Sequence, residues 1–254
     1  MKTTITLELD HKKNFPLLSN MVAQRAYSID GVSNATVLAC KIESFGPPAD
    51  PFLTSMQTMV KLQDRLNAVI NPEWITAGYP WHRAIMVEGV ELLEHVGWKW
   101  WKKQEPNIAQ AKMELVDIWH FIMSQYIVNE GDLETAARVL ADGFGSPTTV
   151  ASGSMQQEVD VLVGDAGDNC VNEVAFRALM QHLGLTWDEL YTTYIAKNVL
   201  NIFRQDHGYR AGSYKKDWNG MEDNEVLHVI MASQPDAAPE QLYAALELRY
   251  EVLA

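Results

Sequence analysis

Two stretches of the chain carry carboxylates at a step of three. In VEGVELLEHVGWKWWKK, residues 87 to 103, they are Glu88, Glu91 and Glu94. In KMELVDIWHFIM, residues 112 to 123, Glu114 and Asp117 are followed by His120. Side chains at i and i+3 are neighbours on a helix, and like charges so placed repel by a few tenths of a kcal/mol. The usual local relief, a Lys or Arg four residues on, is absent. Leu92 follows Glu88, His95 follows Glu91, Ile118 follows Glu114 and Phe121 follows Asp117. One such pair alone is more often a solvated helix face. The Glu114/Asp117 pair resists that reading, because Leu115, Val116, Ile118, Trp119, Phe121, Ile122 and Met123 make its helix apolar nearly all round. Such a helix is buried, and buried carboxylates need a partner or a metal. Two such pairs on successive antiparallel helices would bring four carboxylates together. Hard divalent cations take oxygen ligands of this kind, and Mg²⁺ is commonly shared between carboxylates and substrate phosphates.

Two further stretches bear on the same chemistry. WKWWKK, residues 98 to 103, is either a helix end with core tryptophans and snorkelling lysines, or an aromatic wall for a flat base with cations for phosphate. Residues 197 to 224, KNVLNIFRQDHGYRAGSYKKDWNGMEDN, interleave Lys197, Arg204, Arg210, Lys215 and Lys216 with Asn198, Asn201, Tyr209, Tyr214 and Asn224. Arg offers a planar fork for phosphate oxygens and Lys a point charge. A solvated basic loop is the competing reading. Gly208, Gly212 and Gly220 mark a segment expected to be mobile and to close over bound phosphates.

The elements that must position these residues follow from periodicity and punctuation. Residues 3–9 alternate as a short strand does, and 36–42 form a second candidate. ESFGPPADPFL, residues 43 to 53, is a proline-rich connector. Helices are expected over 54–70, 81–97, 108–129 and 133–140, from Asn172 onward, from the Thr186 capping box to about Gln205, and from Pro239 to the end. Residues 143–170, rich in Gly, Ser, Thr and Asp, are expected to be a flexible insert around the apolar piece Val159–Val163. The fold class is therefore all-α: a helical domain over 51–254 behind a small N-terminal extension, 1–50, containing short strands.

Composition narrows the partners. The chain has 254 residues, 47% of them hydrophobic, enough for a substantial core. At a net charge of −13 it gains nothing from counterion release on a duplex, so no nucleic-acid partner is expected. Cys40 and Cys170 form no disulfide framework or zinc motif. The start, MKTTITLELDHKK, lacks the apolar core of a secretory signal, and no apolar run reaches membrane-spanning length. The expectation is a reduced, cytoplasmic protein with no membrane contact.

Taken in order, Gln63-(x)3-Asn67, Glu88-x-x-Glu91 followed by WKWWK, Glu114-x-x-Asp117-x-x-His120-Phe121, and KNxxNxFRQDxGYxxGxYxKxW resemble one known family. It is the dimeric all-α dUTPases of the MazG-like superfamily of nucleotide pyrophosphohydrolases, to which phage dCTPase-dUTPases are related. The resemblance runs, with breaks, from about Met56 to Asn224. It implies a homodimeric helical bundle that cuts a pyrimidine deoxynucleoside triphosphate between the α- and β-phosphates, a dUTP diphosphatase. It implies that Glu88, Glu91, Glu114 and Asp117 hold Mg²⁺, with Mn²⁺ as a substitute, that Glu88 is the base, and that Glu94 supports the ligands. Gln63 and Asn67 match positions that hydrogen-bond the pyrimidine, with Trp100 and Phe121 as aromatic neighbours. Lys102, Lys197, Asn201, Arg204, Tyr209, Lys216 and Asn224 match sugar or phosphate contacts. His120 either shapes the deoxyribose pocket or is a satisfied core histidine. Two rivals stand beside this reading: the same chemistry on dCTP, on both pyrimidines or on a modified base, and a helical module that senses nucleotides without turnover.

Overall fold

The computed structural model describes residues 50–145 and 153–253. The candidate strands at 3–9 and 36–42 lie outside the described residues. From residue 50 onward the chain is a succession of helices, each stopped by a residue suited to the task. Asp50 accepts the Phe52 N–H at 3.0 Å and opens α1, Pro51–Ile70, with Pro51 in the first turn. Helix α2, Trp81–Val96, ends at Gly97, whose φ of 81° a residue with a Cβ adopts reluctantly. Asn107 caps α3, Ile108–Glu130, which stops at Gly131 in the left-handed conformation. Asp132 caps α4, Leu133–Phe144. This helix runs through Gly143, past the expected end at 140, because Phe144 inserts its buried ring 4.9 Å from Trp119.

Within the segment 143–170, residues 146–152 lie outside the described residues, and much of the remainder is not the loop expected. Within it lies α5, Met155–Gly167, opened by a reciprocal capping box between Ser154 and Gln157. Val159, Leu162 and Ala166 fall at helical spacing and are buried. The helix packs on α2 and on α6, Glu173–Leu183. Gly89 permits the close approach to α2: a Cβ there would stand 2.5 Å from Val163 Cγ2. Small polar residues give this stretch the composition of a loop, yet a capped apolar stripe outweighs them once a groove is available to bury it.

Helix α7, Trp187–Asp206, starts at Thr186, whose hydroxyl accepts the Glu189 N–H. Glu189 does not close the expected capping box and pairs instead with Lys112 at 2.7 Å. A short hairpin follows, β1 (Asp217–Trp218) against β2 (Met221–Glu222). Its turn is Asn219-Gly220, both with positive φ, as the tight hairpin turn requires. Helices α8 (Asp223–Ser233) and α9 (Pro239–Leu253) complete the domain.

Helix α3 is the axis of the bundle. Helices α1, α2, α4, α6 and α7 all pack on it. That answers why it is apolar nearly all round: the cover comes from its own chain, so its composition does not by itself call for a second subunit. A smaller apolar cluster joins Phe203 of α7 to Trp218 of the hairpin, Leu227 of α8 and Leu246 of α9. Trp218 is fully buried, so the second half of the segment expected to be mobile is anchored in a core. Among the described residues no helix is long and apolar enough to cross a membrane.

Candidate active site

The two acidic pairs sit on the facing sides of α2 and α3, which run as a hairpin. The Asn107 N–H donates to the His95 carbonyl at 2.8 Å and ties the ends of the connecting segment together. Glu88 and Glu91 from α2 then meet Glu114 and Asp117 from α3 on one wall of a cleft of about 620 Å³. The rest of the lining is largely cationic and amide-rich, with Glu222 and Glu225 beside it. Helix α7 supplies Lys197, Asn201, Arg204 and Gln205, the following loop Tyr209 and Lys216, and the start of α8 Asn224. Phe121 lines the cleft one turn beyond Asp117 and stacks on Trp81 at 6.3 Å.

Three of the four acids form a tight group. Glu88, Glu91 and Glu114 each place an oxygen within 4.8 Å of the others. Burial raises the Glu114 carboxyl to about 8, with Asp117 adding to the rise and Lys197 opposing it. Glu88 is pushed up to about 7, first by burial and then by Asp117 and Glu91; a hydrogen bond with Glu114 works the other way. The group is thus short of positive charge, and an all-oxygen donor set of this spacing suits a hard divalent cation. Two further side chains meet this wall. His95 Nε2 lies 3.2 Å from Glu114 Oε1, and Lys197 Nζ lies 2.9 Å from Asp117 Oδ2.

Arg204 is occupied by a partner that no sequence motif reveals. Its Nε and Nη2 donate to the two oxygens of Asp223, each at 2.8 Å, and Nη1 donates to Asn201 at 3.0 Å. Tyr214 donates to the same Asp223 at 2.8 Å. Arg204 and Asp223 are both buried, and their bidentate pair clamps α8 onto α7. Although burial acts against the charge, the Asp223 bonds hold Arg204 above its ordinary range. Asp223 is held below its own, against burial, by Arg204 and Tyr214.

Six sequence candidates are not part of the cleft wall. Gln63, Asn67 and His120 form a buried network with Ser124. Gln63 Nε2 donates to Asn67 Oδ1 at 3.0 Å and to Ser124 at 3.1 Å, while Gln63 Oε1 lies 2.7 Å from His120 Nδ1. Burial lowers His120 to about 4, so it is neutral at pH 7 with Nδ1–H as the donor to Gln63. Trp100 is 89% exposed and Lys102 is exposed beside it. Glu94 also points away, bonding Lys99 and the Trp98 indole. Conversely, His95, Asn107, Gln110, Gln205, Glu222 and Glu225 line the cleft without having been expected to.

An acidic wall beside a basic and amide-rich lining, at this size, fits an anionic ligand carried with cations. Residues 55–209, which include the whole of α2, α3 and α7, match the family model described as dUTPase. The chain belongs to this dUTPase family. No curated protein matches it. Membership makes the protein a dUTP diphosphatase, a hydrolase acting on a nucleotide, and the cleft joining α2, α3 and α7 is its candidate active site. The match ends at Tyr209, so Lys216 and Asn224 are placed at the cleft by the structure alone.

Proposed function

We propose that the enzyme is a Mg²⁺-dependent pyrophosphohydrolase that converts dUTP and water to dUMP and pyrophosphate. The observation that carries the reading is the group Glu88, Glu91 and Glu114, in one cleft with Lys197, Lys216 and Asn224, in a chain of the dUTPase family. Glu88, Glu91 and Glu114, joined by Asp117, are the residues that would hold Mg²⁺ or, in its place, Mn²⁺. Bound there, the metal supplies Lewis-acid polarisation of the phosphate and a more acidic water.

The chain's own groups account for the rest. Glu88 is the proton acceptor, from its place on the acidic side of the cleft. Lys197, Lys216 and Tyr209 bind phosphate oxygens, and Asn201 and Asn224 hold sugar or phosphate from the same wall. Phe121, backed by Trp81, gives the deoxynucleoside an apolar surface. Arg204 acts through its pairing with Asp223 to keep Asn201 and Asn224 in place. Gln63 and Asn67 contact the pyrimidine only if the buried network with Ser124 opens, and His120 fixes which end of the Gln63 amide faces it. Trp100 and Lys102 reach substrate only through movement of the exposed 97–107 segment.

The alternative substrate is dCTP, alone or beside dUTP, because uracil and cytosine differ at one exocyclic group that a side-chain amide can serve either way. The test is product analysis over dUTP, dCTP, dTTP and dUDP with Mg²⁺ and with chelator. The expected result is pyrophosphate and dUMP, from dUTP in preference to the others, and none with chelator. Orthophosphate with dUDP as first products would overturn the pyrophosphohydrolase reading. Preference for dCTP would overturn only the assignment of the base.

A further inference from the structure

The four acids share one wall but not the same partners. The three glutamates lie within 4.8 Å of one another, and Asp117 beside them is paired with a lysine. Its Oδ2 holds Lys197 Nζ at 2.9 Å. Lys197 is 1% exposed, and its ammonium also donates to Asn224 Oδ1 at 2.6 Å. The lysine is thus held between the acidic wall and α8, by an ion pair on one side and a hydrogen bond on the other. Like the acids, it lines the cleft. It is a strongly hydrated ion in most settings, and here it is held by two protein oxygens.

From this division we infer that Lys197 is a resident counter-ion that withholds Asp117 from metal until a nucleotide arrives. Without nucleotide, one divalent cation occupies the three glutamates, and Asp117 stays with Lys197. The triphosphate offers Lys197 a more highly charged partner. The ammonium turns from Asp117 to a phosphate oxygen, and the freed carboxylate then accepts a further cation brought with the phosphates. Charge stays balanced through the exchange: Asp117 trades one cation for another as Lys197 trades one anion for another. The device makes full metal loading conditional on substrate, so the complete charge cluster assembles only around a triphosphate.

The inference rests on reading the glutamates as a metal site, and the test separates the two. Mn²⁺ is titrated into the full-length, metal-free protein by calorimetry and by electron paramagnetic resonance, with and without α,β-imido-dUTP. The wild type should bind one Mn²⁺ per chain alone, and gain a second, with a spin-coupled signal, when the analogue is present. Asp117→Asn should leave the first Mn²⁺ within about threefold in affinity and abolish the second, whereas Glu91→Gln should weaken the first at least about tenfold. Lys197→Met, of similar length and uncharged, should bind the second Mn²⁺ without any analogue. If Lys197→Met does not fold, as judged by circular dichroism, the Asp117→Asn titration decides alone. Loss of the first Mn²⁺ in Asp117→Asn as severe as in Glu91→Gln would overturn the inference, as would two ions bound by the wild type without nucleotide. A wild type that binds no Mn²⁺ with or without the analogue would instead sink the metal site itself.

Discussion

Glu88→Gln should stabilise the metal-free protein while disabling the enzyme. The native Glu88 carboxyl is raised from 4.5 to about 7, first by burial and then by Asp117 and Glu91. Between those values the native state binds a proton that the unfolded chain has released. Stability therefore falls as pH rises through that window, and the contribution present below about pH 4.5 is gone above about pH 7. Raising a pKa by one corresponds to about 1.4 kcal/mol, so the whole rise is worth roughly 3 kcal/mol. Part of the relief is lost because a neutral amide is a weaker partner for Glu114 than the ionised carboxylate, which leaves about 1–3 kcal/mol. Glutamine keeps the shape and can hydrogen-bond Glu114, but it does not titrate. For a domain of roughly two hundred residues, 1 kcal/mol moves the melting temperature by about 2–4 °C. Melting in chelator should thus show the variant and the wild type nearly together at pH 5. By pH 8 the variant should melt about 2–12 °C higher. Excess Mg²⁺ should reverse the order, because only the wild type binds it fully. A variant that melts at or below the wild type at pH 8 in chelator would refute the electrostatic account of this wall.

Other perturbations test other parts. Glu91→Gln and Asp117→Asn should each lower turnover by at least about a hundredfold with the fold intact, on the scale of losing a principal charge stabiliser; steady-state rates with circular dichroism check this, and an active Asp117→Asn would contradict it. Arg204→Ala should weaken substrate binding, and it should also destabilise the protein by about 3–5 kcal/mol, because it strands the buried Asp223. A denaturant midpoint unchanged from wild type would refute that. Gly89→Ala would set a Cβ 2.5 Å from Val163, so α5 must shift or α2 must bend, at about 1–3 kcal/mol in thermal stability; Val163→Ala in the same chain should restore most of it. The family resemblance leads us to expect a homodimer, so light scattering should give twice the 28.6 kDa of one chain, and a monomer mass at working concentration would exclude it.

What is legible in the sequence is what is local. Helix α3 is marked by Asn107 before it, Gly131 after it, and apolar residues between. The same logic finds α1, α2 and α7 to within a few residues. It fails at α5 because Gly, Ser and Asp around Met155–Gly167 obscure two signals that are present, the Ser154-x-x-Gln157 capping box and the stripe Val159, Leu162, Ala166. It fails also at the hairpin, where the glycines suggest mobility although Asn219-Gly220 between Trp218 and Met221 is a strong turn pair. In both places composition points to disorder and pattern to structure, and burial against a neighbour decides for pattern.

The acidic wall shows a different limit of the sequence. Relief of the Glu88/Glu91 and Glu114/Asp117 repulsions is absent four residues along each helix. Relief exists, but for Asp117 it comes from across the fold: Lys197 on α7, far from Asp117 along the chain, pairs with it, while His95 on α2 lies against Glu114 of the next helix. Likewise Arg204 looks free to bind phosphate because its partner, Asp223, lies beyond a loop and a hairpin. Partners at such separations leave no spacing to read. They matter because each one changes the role of the residue it meets. A lone Arg204 would be a ligand for phosphate, and a paired one holds two asparagines on the cleft wall. A lone Asp117 would be a metal ligand at rest, and one held by Lys197 becomes available when a stronger anion claims the lysine.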